Sequence, residues 1–113
     1  MPHVILEHSA DVAETHDMQA LCDRLFDVLA ATEEVTNPSS LKIRTHPCLT
    51  WRTGTEPGNF VHAMLLMLPG RSDAQQKALV QTILRTLTDQ MPEVGSLSVN
   101  MGILDANYDK RVL

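Results

Sequence analysis

Of the residues able to move a proton or hold a charged substrate, Pro2 stands first, because it directly follows Met1. Removing Met1 would leave a secondary amine with no side chain to shield it. An α-amino group titrates near roughly 7.7 to 8.0, and an apolar pocket or neighbouring cations lower that value further. Such an amine is an efficient general base near neutrality. Lys42, Arg44 and His46 recur at every second position, so on a strand they form one basic face. Arg71 stands just before a predicted helix, where unpaired backbone N–H groups also favour anions. Two separated cationic points suit a dicarboxylate. Plainer roles fit the same residues: Pro2 as the start of a strand whose first N–H is not needed, Lys42, Arg44 and His46 as a solvated face, and Arg71 as a loop charge or helix-end ion pair.

These residues need elements to position them. The run from Pro2 to His8 is rich in β-branched and aliphatic residues and reads as a first strand. Met18, Leu21, Cys22, Leu25 and Leu29 follow helical spacing, with Asp17 where an N-cap is wanted. After the break at Asn37-Pro38-Ser39-Ser40, the apolar Leu41, Ile43, Leu49 and Trp51 share one parity and the basic residues the other, which predicts a second strand. Pro47 cannot donate a ladder hydrogen bond and puts that strand at an edge or a bulge. A turn-rich stretch leads to a third strand from Asn59 to Leu68. Ser72 and Gln75 have capping-box spacing, and Val80, Ile83, Leu84, Leu87 and Met91 predict the apolar stripe of a longer helix. Pro92 and Gly95 end it, and Ser96 to Ile103 alternates as a fourth strand. The polar tail from Asp105 to Leu113 carries no periodic signal.

The expected architecture is α/β (α+β): one domain, 1–113, of two βαβ units spanning about 2–52 and 59–104. Right-handed crossovers put both helices on one face of a four-stranded sheet. The opposite face then stays open unless another subunit covers it. With 43% hydrophobic but only 4% aromatic residues, aliphatic side chains and Met must build the core. Met64, Met67 and Met91 are assigned to it.

A net charge of −5 is the wrong sign for a protein that binds by neutralising phosphates, so nucleic acid is not an expected partner. No apolar stretch is long enough to span a bilayer. Cys22 and Cys48 form no CxxC pair, and the chain starts with no apolar leader. The expectation is a soluble cytoplasmic protein with two free thiols.

The start Pro2-His3-Val4-Ile5-Leu6-Glu7, the segment Ile43-Arg44-Thr45-His46 reaching Thr50-Trp51, and Phe60-Val61-His62 followed by Gly70-Arg71-Ser72 resemble the 5-carboxymethyl-2-hydroxymuconate isomerase family of the tautomerase superfamily. The resemblance implies a homotrimer of double βαβ subunits, active sites near subunit boundaries and no cofactor. It also implies a proline nitrogen that moves a proton between the oxygen and carbon of an enol, and arginines that hold substrate carboxylates. Carried over by position, Pro2 is the acid/base and Arg71 a carboxylate clamp, with Lys42 and Arg44 as further substrate-binding residues. The family's Arg-x-Arg in the second strand is Lys42-Ile43-Arg44 in this sequence, so one site keeps its charge but loses the planar two-point grip.

Two other classes share the fold. A ferredoxin-like binding module would use His46 with Cys48, or His3 with His8, as metal ligands, yet neither pair has a structural-zinc spacing. An oligomeric scaffold would keep the trimer but not the activity, and a retained Met1 would turn the Pro2 nitrogen into an amide unable to act as a base. Cys22 lies in the helix stripe and reads as core rather than nucleophile, and Cys48 has only His46 beside it on its strand face.

Overall fold

The structure, a computed structural model, describes residues 2–113. The state of Met1 therefore lies outside the described residues.

Aliphatic residues at alternate positions build a sheet of β1 (His3–Ser9), β2 (Lys42–Cys48), β3 (Phe60–Met67) and β4 (Ser96–Ile103). Its order is β2-β1-β3-β4. β1 pairs in parallel with β2, β3 pairs in parallel with β4, and the central pair β1/β3 is antiparallel. A short α1 (Val12–Thr15) precedes α2 (Met18–Ala30), and α3 (Asp73–Gln90) joins β3 to β4. The two expected βαβ crossovers are thus present, and β2, which carries Pro47, is an edge strand.

The helices bury one sheet face. Val4 and Leu6 of β1, and Val61, Ala63, Leu65 and Met67 of β3, meet Leu21, Leu25 and Leu29 of α2 and Leu79, Ile83 and Leu87 of α3. Each fully buried aliphatic side chain contributes roughly 1.5–3 kcal/mol. Both helix starts are fixed by their side chains: Asp17 accepts from the Ala20 N–H, and Ser72 and Gln75 form a reciprocal capping box.

Several expectations need correction. β2 ends at Cys48, short of Leu49 and Trp51; Leu49 is exposed, and the Trp51 indole N–H donates to the Gly58 carbonyl. In α3 the stripe is rotated: Leu79 is buried in place of Val80, and Leu84 is exposed. Thr86 fills the opposite side of the stripe, because its hydroxyl donates to the Thr82 carbonyl and can be buried without an unmet polar group. Met67 and Met91 are core residues, but Met64 is half-buried on the other sheet face.

Among the described residues no helix covers that other face. Register places Lys42, Arg44 and His46 of β2 beside His3, Ile5 and Glu7 of β1, followed by Leu66, Met64 and His62 of β3. Ile5, Met64 and Leu66 form a half-buried apolar centre flanked by the basic edge strand. Among the described residues no helix is long and apolar enough to cross a membrane.

Candidate active site

Pro2 enters the sheet at the head of its central pair. Its carbonyl accepts the Lys42 N–H at 3.1 Å, which starts the β1/β2 ladder, and its side chain is buried. The chain between α2 and β2 folds over this end. Val35 is buried, and a 3₁₀ turn at Pro38–Ser40 is closed by Ser40, whose N–H and hydroxyl both donate to the Asn37 carbonyl at 3.0 and 2.6 Å.

Arg71 approaches from the second βαβ unit. Gly70 before it takes φ 124°, a conformation side-chain-bearing residues rarely adopt, and so aims the chain toward α3. The Arg71 guanidinium binds the α2–β2 loop: Nε and Nη2 donate to the Glu34 carbonyl at 3.0 and 2.8 Å, and Nη1 reaches the Leu68 carbonyl at 3.4 Å. Arginine has five N–H donors, so two remain for an anion. The α3 N-terminus offers less than its position suggested, because the capping box occupies the Ser72 and Gln75 N–H groups and Asp73 adds a negative charge in the first turn. The guanidinium is thus the group at this end with N–H donors to spare.

Pro2 and Arg71 line one cavity of about 110 Å³, with Val35, Thr36, Asn37 and Ser40 of the loop and Lys110 of the tail. A neighbouring hollow of about 280 Å³ shares Arg71 and Thr36 but is edged by Glu33 and Glu34. Pro2 and Arg71, both singled out from the sequence, thus meet, although they come from different βαβ units. Lys42 and Arg44 do not line this cavity; they project from the open sheet face. Lys110 was missed altogether, since nothing in the polar tail's pattern marks it.

Beside the cavity, His3 ties three elements together. Arg44 Nη1 donates to His3 Nδ1 at 3.2 Å, because arginine can only donate. The ring proton therefore sits on Nε2 and points to the Tyr108 hydroxyl at 3.0 Å. Burial first, and then the charges of Arg44 and Lys42, hold the His3 pKa below its ordinary 6.5. As pH falls, the unfolded chain takes up this proton before the folded one. The resulting contribution to stability is full above about 6.5 and is lost as pH falls through the lowered folded value. An NMR titration of His3 is expected to give a midpoint below 6.5. Arg44→Gln should move that midpoint only part of the way back, because burial is the larger cause; a midpoint at or above 6.5 in the unmodified protein would contradict the assignment.

Of the metal pairs weighed from sequence, His46 and Cys48 share a face of β2, whereas His3 and His8 are split between opposite sheet faces. His8 Nδ1 donates to the Ser9 carbonyl at 2.8 Å. Among the described residues no group of three or more His, Cys, Asp or Glu is placed to hold a metal ion. Burial, and then the charge of Asp23, push the Cys22 thiol pKa up, which suits a packed residue and not a nucleophile.

The sequence profile described as 5-carboxymethyl-2-hydroxymuconate isomerase matches residues 2–107. No curated protein sequence matches the chain. Among solved structures, a 5-carboxymethyl-2-hydroxymuconate delta-isomerase superposes with a TM-score of 0.85 at 21% identity, covering 99% of this chain and 88% of the other. A 5-carboxymethyl-2-hydroxymuconate isomerase from Deinococcus radiodurans gives 0.84 at 23% identity, covering 97% and 88%. A fused 4-OT symmetric trimer gives 0.69 at 14% identity, covering 90% and 86%.

Proposed function

The chain belongs to the 5-carboxymethyl-2-hydroxymuconate isomerase family and is an isomerase, and from that premise we propose that it moves a proton between the enol oxygen and a carbon of a carboxylated 2-hydroxymuconate-type substrate, with the amino-terminal nitrogen of Pro2 as general acid/base. The observation that carries this reading is the shared cavity of Pro2 and Arg71.

The chemistry needs no group beyond the chain. With Met1 removed, the Pro2 lone pair accepts the enol O–H proton as the C–O bond gains carbonyl character. The resulting ammonium returns a proton to the carbon end of the conjugated system, so the net change is a proton moved and a double bond shifted. Burial and the cation of Arg71 disfavour a charged amine, which keeps a neutral fraction available near pH 7. Arg71 offers its two remaining N–H donors to a substrate carboxylate next to the reacting atoms, and this fixes the geometry for transfer.

The open sheet face is where the other subunits of a homotrimer would pack. Its apolar centre of Ile5, Met64 and Leu66 supports this, as does the fold shared with the symmetric 4-OT trimer. Lys42 and Arg44 lie on that face, and in a trimer they would meet substrate at a subunit boundary. The unpaired thiols of Cys22 and Cys48 suit a reducing cytoplasm.

The test is ultraviolet detection of ketonisation of a dicarboxylated 2-hydroxydienoate by protein whose intact mass establishes that Met1 is gone. Turnover is the expected result. No turnover with a free Pro2 would overturn the reading in favour of a scaffold on the same fold.

A further inference from the structure

β4 does not end the ordered chain. The Leu104 N–H continues its pairing by donating to the Met67 carbonyl at 2.8 Å. A turn follows in which the Asp105 carboxylate accepts the Asn107 N–H at 2.8 Å and the Asp105 carbonyl accepts the Tyr108 N–H at 3.0 Å. This turn delivers Tyr108 to His3: the hydroxyl meets Nε2, and the rings sit edge to face with centroids 5.9 Å apart. Two residues later the chain reaches the cavity that holds Pro2, and there Lys110 is a lining residue.

We propose that Lys110 is a substrate-binding residue that holds the second carboxylate of a dicarboxylate, and that Tyr108 is its positioning residue. The proposal rests on the isomerase reading of the Pro2 cavity given above. Arg71 and Lys110 supply two cationic groups around one cavity, which is the arrangement a dicarboxylate needs. The hollow on the far side of Arg71 is edged by Glu33 and Glu34, which repel a carboxylate, so the charge pattern directs the distal end of the substrate toward Lys110. A lysine ammonium is a compact charge on a flexible stem and tolerates variation in the length of the acid. The contact of Tyr108 with His3 anchors the tail two residues before Lys110 and so fixes where that stem begins.

The experiment uses the full chain with its free Pro2 verified by mass. Steady-state ketonisation is measured on a dicarboxylated 2-hydroxydienoate and on a monocarboxylated 2-hydroxydienoate, and binding of adipate is followed by calorimetry. Lys110→Met is expected to raise KM for the dicarboxylate about tenfold, the effect of one lost charge-assisted hydrogen bond, with kcat held within about twofold. The monocarboxylate KM should not move, adipate binding should weaken by a similar factor, and Lys110→Arg should restore both. Tyr108→Phe should shift the dicarboxylate KM in the same direction by less. An unchanged dicarboxylate KM and adipate affinity in Lys110→Met, or equal losses on both substrates, would overturn the assignment. If the unmodified protein turns over neither substrate but still binds adipate through Lys110, the isomerase reading fails and the carboxylate site stands.

Discussion

Pro2→Ala is expected to lower kcat for ketonisation by about 10- to 100-fold, with a much smaller change in KM. A positioned general acid/base is worth roughly 100- to 10,000-fold, and alanine removes only part of that, because processing still leaves an amine, now primary. What is lost is the ring. Pro2 is buried at the head of β1 with its carbonyl held by the Lys42 N–H, so the pyrrolidine fixes where the nitrogen sits relative to Arg71. A primary amine keeps the chemistry but rotates about its Cα bond and is more readily hydrated. Protein that retains Met1 gives the stronger result: its Pro2 nitrogen is an amide with no basic lone pair, and the whole acid/base contribution of roughly 100- to 10,000-fold should disappear. Both samples are checked by intact mass, and kcat is followed by ultraviolet absorbance. Full kcat in Pro2→Ala, or in protein carrying Met1, would remove proline from the mechanism.

How far the sequence foretold this site depends on the range of each signal. Signals local to one element were legible. Asp17, and Ser72 with Gln75, cap the helices they were assigned to, and Pro47 does lie on an edge strand. Where two adjacent apolar residues competed, spacing alone chose badly. Leu79 and Val80 are consecutive, and only the packing of α3 on the sheet, with Thr86 turned inward and its hydroxyl satisfied, selects Leu79. The basic parity of Lys42, Arg44 and His46 was read correctly. Parity alone, however, does not say whether a face borders a cavity or stands open, and the register with β1 decides that. Lys110 is the extreme case. Its place in the cavity depends on a turn at Asp105 and on a contact between Tyr108 and His3 across nearly the whole chain, and neither produces a period in the sequence.

Arg71→Ala is expected to raise KM for a dicarboxylate by about 100-fold, more than loss of Lys110, because the guanidinium performs two tasks at once. Three of its N–H donors reach backbone carbonyls: Nε and Nη2 to Glu34, and Nη1 to Leu68. The two remaining donors offer a carboxylate a paired, charge-assisted grip, which is stronger than a single contact from an ammonium. Truncation removes that grip and also releases the Glu34 carbonyl, next to buried Val35 in the loop that walls the cavity. The second effect should appear separately as a stability loss of about 1 kcal/mol in denaturant unfolding, since Glu34 is only half-buried and its carbonyl can be solvated instead. Arg71→Lys separates the two tasks: an ammonium near the same place can hold the Glu34 carbonyl or the substrate, but it has no planar fork to do both. It should therefore recover most of the stability and little of the KM. If Arg71→Lys restored KM fully, or if Arg71→Ala left KM within about twofold, Arg71 would be a strut for the loop and the carboxylate of the substrate would have to be held elsewhere.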